Sequence, residues 1–273
     1  MNRGIRLRLI TLNIAHGRGL APVQGLASQA RIRANLDRIA SFLHRFHPDI
    51  VAMQEIDQRS RWSGNFDHLD YLRDAAGFPY SAFGINNVRS GLLNLSYGNA
   101  ILSRHPLAVT ETVAFGQRRV GEKGFLFAEI EVAGLRVPYV NLHLHSGRRI
   151  RRMRQLDLLI DWLKAKHRQR AAAWAVPPVI CGDFNNPATR DDATAALLKH
   201  LSAYGTYAAH PRTRGTFPSP MPRRTLDFVL LPPGCTEVRT KVVRTMLSDH
   251  LPVVVDFTLD AHHAPPEKTH RPA

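Results

Sequence analysis

The chain has 273 residues, 44% of them apolar, which is enough for a substantial core, and its 37 Lys and Arg against 22 Asp and Glu give a formal charge of +15. Such a surface attracts anions, so phosphate, nucleic acid or acidic lipid is the expected class of partner. Cys181 and Cys235 lie far apart without metal-ligand spacing, which argues against a zinc site or a disulfide scaffold, and no run reaches the roughly 18 apolar residues of a membrane span.

Taken in order, Ile5–Ile14 alternates basic and apolar residues as a strand that ends T-L-N-I-A-H-G, with Asn13 and His16 at its exit. It begins directly after Met1 without an apolar signal core, so the expectation is a soluble, cytoplasmic, monomeric protein, with contact to a membrane surface through arginine left open. Ser28 is placed to cap a helix carrying Ile32, Leu36, Ile39, Leu43 and Phe46 at helical spacing, closed by His47-Pro48. Asp49–Glu55 predicts a buried strand ending in a carboxylate. Asp57–Ala82, with a short helix around Leu69–Ala76, reads as an inserted surface region carrying recognition. Gly98–Arg104 is a strand, and Phe125–Val132 with Leu135–Asn141 forms a hairpin across Ala133-Gly134. The second hairpin strand runs into N-L-H-L-H, which sets His143 and His145 on one face.

Ile150, Met153, Leu156, Leu159, Ile160 and Leu163 give the next helix its apolar stripe, while Arg148, Arg149, Arg151, Arg152 and Arg154 crowd its first turns. Cations there oppose the helix macrodipole, and a nearby anion would relieve the repulsion. Arg149 and Arg152 are therefore substrate-binding candidates. Val179–Cys181 is the end of a buried strand, after which Gly182 turns the backbone and presents Asp183 and Asn185. A helix over Asp191–His200, a Pro-rich basic loop over Arg212–Arg224, a strand over Thr225–Leu231 carrying Asp227, and S-D-H-L-P leading into Val253–Phe257 complete a one-domain body, residues 1–259. Residues 260–273 are polar and Pro-rich and are expected to fray.

Asn13, Glu55, His143, Asp183, Asn185, Asp227, Asp249 and His250 thus all fall at or near strand ends. Carboxylates with a carboxamide are the donors a hard divalent cation takes, and histidine titrates near neutrality, so the set suits metal-assisted phosphoryl chemistry. The marks T-L-N at Asn13, Q-E at Glu55, G-N-A-I-L-S at Asn99, N-L-H-L-H at His143, G-D-F-N at Asp183 and Asn185, L-D-F-V at Asp227 and S-D-H-L-P at Asp249 and His250 occur in one order. In this the sequence resembles the endonuclease/exonuclease/phosphatase superfamily of metal-dependent phosphoesterases, over roughly Leu7–Phe257.

The resemblance implies a four-layer α/β/β/α sandwich of two mostly antiparallel sheets flanked by helices. It implies that Glu55 binds Mg2+, or Mn2+ in its place, with Asn13 and Asp249 nearby, and that Asp183 and Asn185 position the attacking water and the scissile phosphate. Asn99 is carried over as a substrate-binding position. Asp227 would orient His250, His143 would bind a phosphate oxygen, and Glu122 would support His143. The expected activity is divalent-metal-dependent hydrolysis of a phosphoester, a diester with nucleic acid as the favoured substrate. A phospholipid headgroup, a small phosphoester, and a non-catalytic nucleic-acid-binding relative are the alternatives.

Overall fold

The computed structural model of the protein describes residues 4–91, 94–116, 121–188 and 191–260. The first half of the chain runs β1 (Ile5–Asn13), α1 (Gln29–Phe46), β2 (Ile50–Asp57), α2 (His68–Ala76), β3 (Tyr80–Arg89) and β4 (Leu95–Ser103). There follow β5 (Leu107–Ala114), β6 (Gly124–Val132), β7 (Leu135–His143), α3 (Arg149–Arg170), β8 (Val179–Asp183), α4 (Ala193–Leu201), β9 (Ala208–His210) and β10 (Asp227–Leu231). β11 (Cys235–Val242) and β12 (Val253–Leu259) then return to the first sheet. The strand orders are β11-β12-β1-β2-β4-β3 and β5-β6-β7-β8-β10-β9.

Local chemistry sets the boundaries. The Ser28 hydroxyl accepts from the Arg31 amide and starts α1, and His47 adopts a left-handed conformation before Pro48 and stops it. Ala133 and Gly134 both have positive φ, as the tight turn of the expected β6–β7 hairpin requires. Asp192 caps α4 by accepting from the Ala193 amide.

Four layers result, as the sequence implied. Between the sheets lie Leu9, Ala52, Ile101, Leu126, Tyr139 and Val229. The outer face of the first sheet, through Ile10 and Met53, meets Leu36 and Leu72 of α1 and α2. The outer face of the second, through Phe127 and Ile180, meets Leu156, Leu159 and Leu197 of α3 and α4. Period-2 alternation sorts each strand's side chains between the two cores.

Each sheet has one parallel pair near its centre, β1 with β2 and β7 with β8, joined by a helical crossover on its outer face. The carboxyl ends of those four strands bear Asn13, Glu55, His143 and Asp183. Three sequence expectations need correction. Asp57–Ala82 is not a surface insertion: Asp57, Ser60, Ser63 and His68 are buried, and Leu69, Leu72, Ala76 and Phe78 join the core beside α1. On α3, Ile150 is exposed and Arg152 is buried in its stead. Gly182 does not turn the chain but stays within β8, where a Cβ would lie 1.9 Å from the Leu142 carbonyl oxygen of β7.

Candidate active site

Glu55 owes its position to a defect in the sheet. The β2–β4 register slips between Gln54 and Ile56, and Glu55 occupies the bulge with φ 52°. Positive φ is uncommon away from glycine, and a bulge re-aims the side chain it carries. Inner-facing Gln54 crosses between the sheets, its Nε2 donating to Asn141 Oδ1 at 2.7 Å, and bulged Glu55 instead accepts from Lys123 Nζ at 3.0 Å through Oε1. His16 Nε2 lies 3.6 Å from its other oxygen, and His143 Nε2 lies 3.9 Å from Oε1. Burial alone would raise the Glu55 carboxyl, but Lys123 and the two histidines hold it well below the ordinary carboxylate range.

The second sheet supplies the other half. His143 pairs in register with Asp183, and Asp183 with Asp227. His143 Nε2 is 3.3 Å from Asp183 Oδ2, to which Asn13 Nδ2 donates at 3.1 Å. His250, from the loop before β12, places Nδ1 2.9 Å from Asp227 Oδ2 and Nε2 3.8 Å from Asp183. Asn13, Glu55, His143, Asp183, Asp227 and His250, drawn from both sheets, therefore form one connected cluster. The Asp227 oxygens face the ring, and the Thr216 hydroxyl accepts from the Leu226 and Asp227 amides and fixes the entry to β10.

The cluster sorts its protons by surroundings. Burial would lower His250, but Asp227 and Asp183 on either side push it up to about 10, so it is an imidazolium at neutral pH. Burial would raise Asp183, but His250, His143 and Asn13 pull it down to about 2. His143 goes the other way, lowered by burial and by Lys123, whose Nζ lies 3.3 Å from its Nδ1. The result is a neutral His143, an anionic Asp183 and a cationic His250 around one point.

The remaining expected residues are placed differently. Asn185 sits at the rim with φ 55°, its N–H donating to Asp183 Oδ1 at 2.9 Å and its Nδ2 to the Leu144 carbonyl at 2.8 Å. Asp249 accepts from Arg18 at 2.7 Å. Asn99 is buried and donates to the Gly124 and Asn141 carbonyls, so it ties the sheets together beneath the site instead of meeting substrate. Glu122 is not the partner of His143: its Oε1 accepts from the next amide and its main chain is clasped by Asn87, while Lys123 reaches the ring. Arg152 is not a cleft cation, because its guanidinium is buried against both Asp192 oxygens and the carbonyls of His145 and Gly147. Arg149 is paired with Asp191, and His145 turns away to Gly147 and Arg151. The terminal tail from residue 261 lies outside the described residues.

Sequence reasoning missed Lys123, and it missed the role of His16 and Asp57. Asp57 is fully buried, accepting from Trp62 Nε1 at 2.8 Å and lying 2.6 Å from His16 Nδ1. The His16 ring stands edge-on to Trp62 and Tyr97, 5.0 Å from each. The available signal was that His16 and Asp57 follow Asn13 and Glu55 at two strand exits, where Asp57 read as the start of a surface insertion.

The donor set fits a hard divalent cation. Glu55, Asp57, Asp183 and Asp227 bring four largely buried carboxyl groups to the cluster, beside the Asn13 carboxamide. Oxygen donors predominate, as Mg2+ requires. Asp183 and Asp227 bring one oxygen each within 4.8 Å of one another, with the His250 imidazolium beside them as a counter-charge and not a ligand.

A model of the endonuclease/exonuclease/phosphatase family matches residues 10–250, which span the whole cluster. The chain belongs to the endonuclease/exonuclease/phosphatase family. Members of this family are in general hydrolases, typically dependent on a divalent metal. Among solved structures, the chain resembles an endonuclease/exonuclease/phosphatase from Beutenbergia cavernae (TM-score 0.71, 22% identity, 95% of this chain and 72% of that one). Sphingomyelinase C from Streptomyces griseocarneus gives a TM-score of 0.65 at 22% identity over 92% of this chain and 99% of the other. TDP2 from C. elegans gives 0.64 at 17% over 94% and 77%. At these identities the family members share the fold, and no curated protein matches the chain. No helix among the described residues is long and apolar enough to cross a membrane.

Proposed function

We propose that the protein is a divalent-metal-dependent phosphodiesterase with nucleic acid as its substrate. The observation that carries this reading is the convergence of Glu55, Asn13, His143, Asp183, Asp227 and His250 from both sheets on one buried cluster. Glu55 and Asn13 would hold the metal at the sheet ends, with Asp249 available once Arg18 yields it. Bound there, Mg2+ or Mn2+ would act as a Lewis acid on a phosphate oxygen.

The chain's own groups divide the remaining work. Lys123 and His143 donate to non-bridging phosphate oxygens. Asp183, anionic across neutral pH, orients a water and takes its proton as the water oxygen bonds phosphorus and the opposite ester P–O bond breaks. His250, a fixed cation held by Asp227, offsets the charge that develops on phosphorus and gives the leaving oxygen a proton. Asn185, anchored by its own backbone to Asp183, keeps the rim of the pocket in place.

Charge favours nucleic acid over lipid. Phe217, in the Pro-rich basic loop, packs on the His250 ring at 4.8 Å beneath Arg224, and of that loop only Met221 is a strongly exposed large apolar side chain. The test is turnover of single- and double-stranded oligonucleotides beside sphingomyelin vesicles, with Mg2+ and with EDTA. Oligonucleotide cleavage that EDTA abolishes is expected. Cleavage of sphingomyelin alone would replace the substrate assignment, and no metal-dependent cleavage of either would remove the enzymatic reading.

A further inference from the structure

Outside the catalytic cluster the most unusual surface lies along α1. Arg31, Arg38 and Arg45 recur every seventh residue, so they fall on one face of the helix, about 10 Å apart along its axis. All three are exposed, and none has a carboxylate partner among the described residues. They line a continuous depression between α1 and the segment from β11 to the start of β12. One hollow is bounded by Arg18, Arg31, Arg38 and Met246, the next by Arg38, Phe42, Arg45 and Leu247, and the last by Arg45, Phe46, Arg239 and Lys241. Arg38 belongs to the first two and Arg45 to the last two, which makes them one groove. Its far hollow, about 690 Å³, is of nucleotide-accommodating size.

The groove ends at the active site. Arg18, in the near hollow, holds Asp249, the neighbour of His250. The acids along it are already neutralised, Asp249 by Arg18 and Asp256 by Arg8. Its floor carries half-buried Phe46, with Arg45 5.4 Å and Lys241 5.8 Å from the ring centroid. A basic groove that tracks a backbone supplies the electrostatic part of how single-stranded nucleic acid is held without sequence preference. We propose that this groove binds the phosphodiester backbone of a nucleic-acid strand and leads it to the catalytic cluster.

The proposal rests on the nucleic-acid reading above, and the experiment separates the two. Binding of labelled poly-dT is followed by fluorescence anisotropy against salt, with metal chelated, for the wild-type protein, the triple variant Arg31→Gln/Arg38→Gln/Arg45→Gln, and a charge-matched control, Lys164→Gln/Arg168→Gln/Lys199→Gln. The groove variant should bind at least about tenfold more weakly, and its slope of log affinity against log salt should fall by about two, the value for three phosphates at roughly 0.7 each on a single strand. The control should bind as the wild type does, and Mg2+-dependent hydrolysis of a small diester should be unchanged in both variants. Equal slopes for groove variant and wild type, an equal loss in the control, or a loss seen only on phosphatidylserine vesicles would overturn the proposal. A wild type that binds poly-dT through these arginines yet cleaves no nucleic acid would refute the nucleic-acid substrate assignment and leave the groove standing.

Discussion

His250 stands between two carboxylates, and that placement fixes how the site responds to pH. Its folded value, about 10, exceeds the unfolded value of about 6.5, so its stabilisation is complete below about pH 6.5 and is lost as pH rises through 10. Asp183 has the opposite sign: with a folded value of about 2 against an unfolded value near 3.9, it stabilises above about pH 4 and ceases to as pH falls through 2. Urea midpoints of wild type and His250→Gln should therefore converge as the pH is raised from about 6.5 to 10. A gap that stays constant would show that the ring is not held as a cation. Because both Asp227 oxygens face the His250 ring, the pair should act as one unit in catalysis. Asp227→Asn should cost about as much turnover as His250→Ala, and the double variant little more; multiplicative losses would separate the two residues.

The buried pair of Arg152 and Asp192 joins the start of α3 to the start of α4, and the guanidinium also closes over the loop after His143. Removing one partner leaves a buried charge, so Arg152→Ala should cost about 3 to 5 kcal/mol in denaturant unfolding. Arg149→Ala, at an exposed pair, should cost at most about 1 kcal/mol. Comparable losses at both positions would mean that Arg152 is not the structural clamp. Gly182→Ala tests the packing of β8 on β7, since the methyl would overlap a backbone carbonyl. Little soluble, folded protein is expected, and a normal melting temperature would contradict the close approach. The elements hidden from sequence share a cause. β3, β5, β9 and β11 are the four sheet edges, where one side lacks a neighbour and β5 has no fully buried residue and β11 only Val242, so the apolar pattern that betrays β1, β2, β6, β7 and β8 is diluted. The arginine run of α3 misled for a related reason: a charge count along a helix does not say which turn faces Asp192.

At the scale of the molecule, the two sheets each contribute a parallel strand pair whose carboxyl ends meet, and the site is their junction. The sequence carried this well for Asn13, Glu55, His143, Asp183, Asp227 and His250, because a polar residue ending an apolar run marks a strand exit wherever the strand lies. It could not show that Lys123, just before β6, crosses to Glu55 of β2, nor that Asn99 and Asn141 lie buried between the sheets, since those contacts depend on how two sheets face each other. The surplus of positive charge was equally plain, but its concentration along α1 emerges only once the helix is laid beside the β11–β12 loop. The central claim, that the junction is a metal-dependent phosphodiesterase centre hinged on Glu55, is tested most directly by hydrolysis of bis(p-nitrophenyl) phosphate by wild type and a folded Glu55→Gln variant, each with saturating Mg2+ and with EDTA. The wild type should turn over only with metal, and Glu55→Gln should lose about a hundred- to a thousandfold, the scale seen when one preorganised electrostatic group is removed. Turnover that survives EDTA, or a Glu55→Gln variant of near-normal rate, would contradict it.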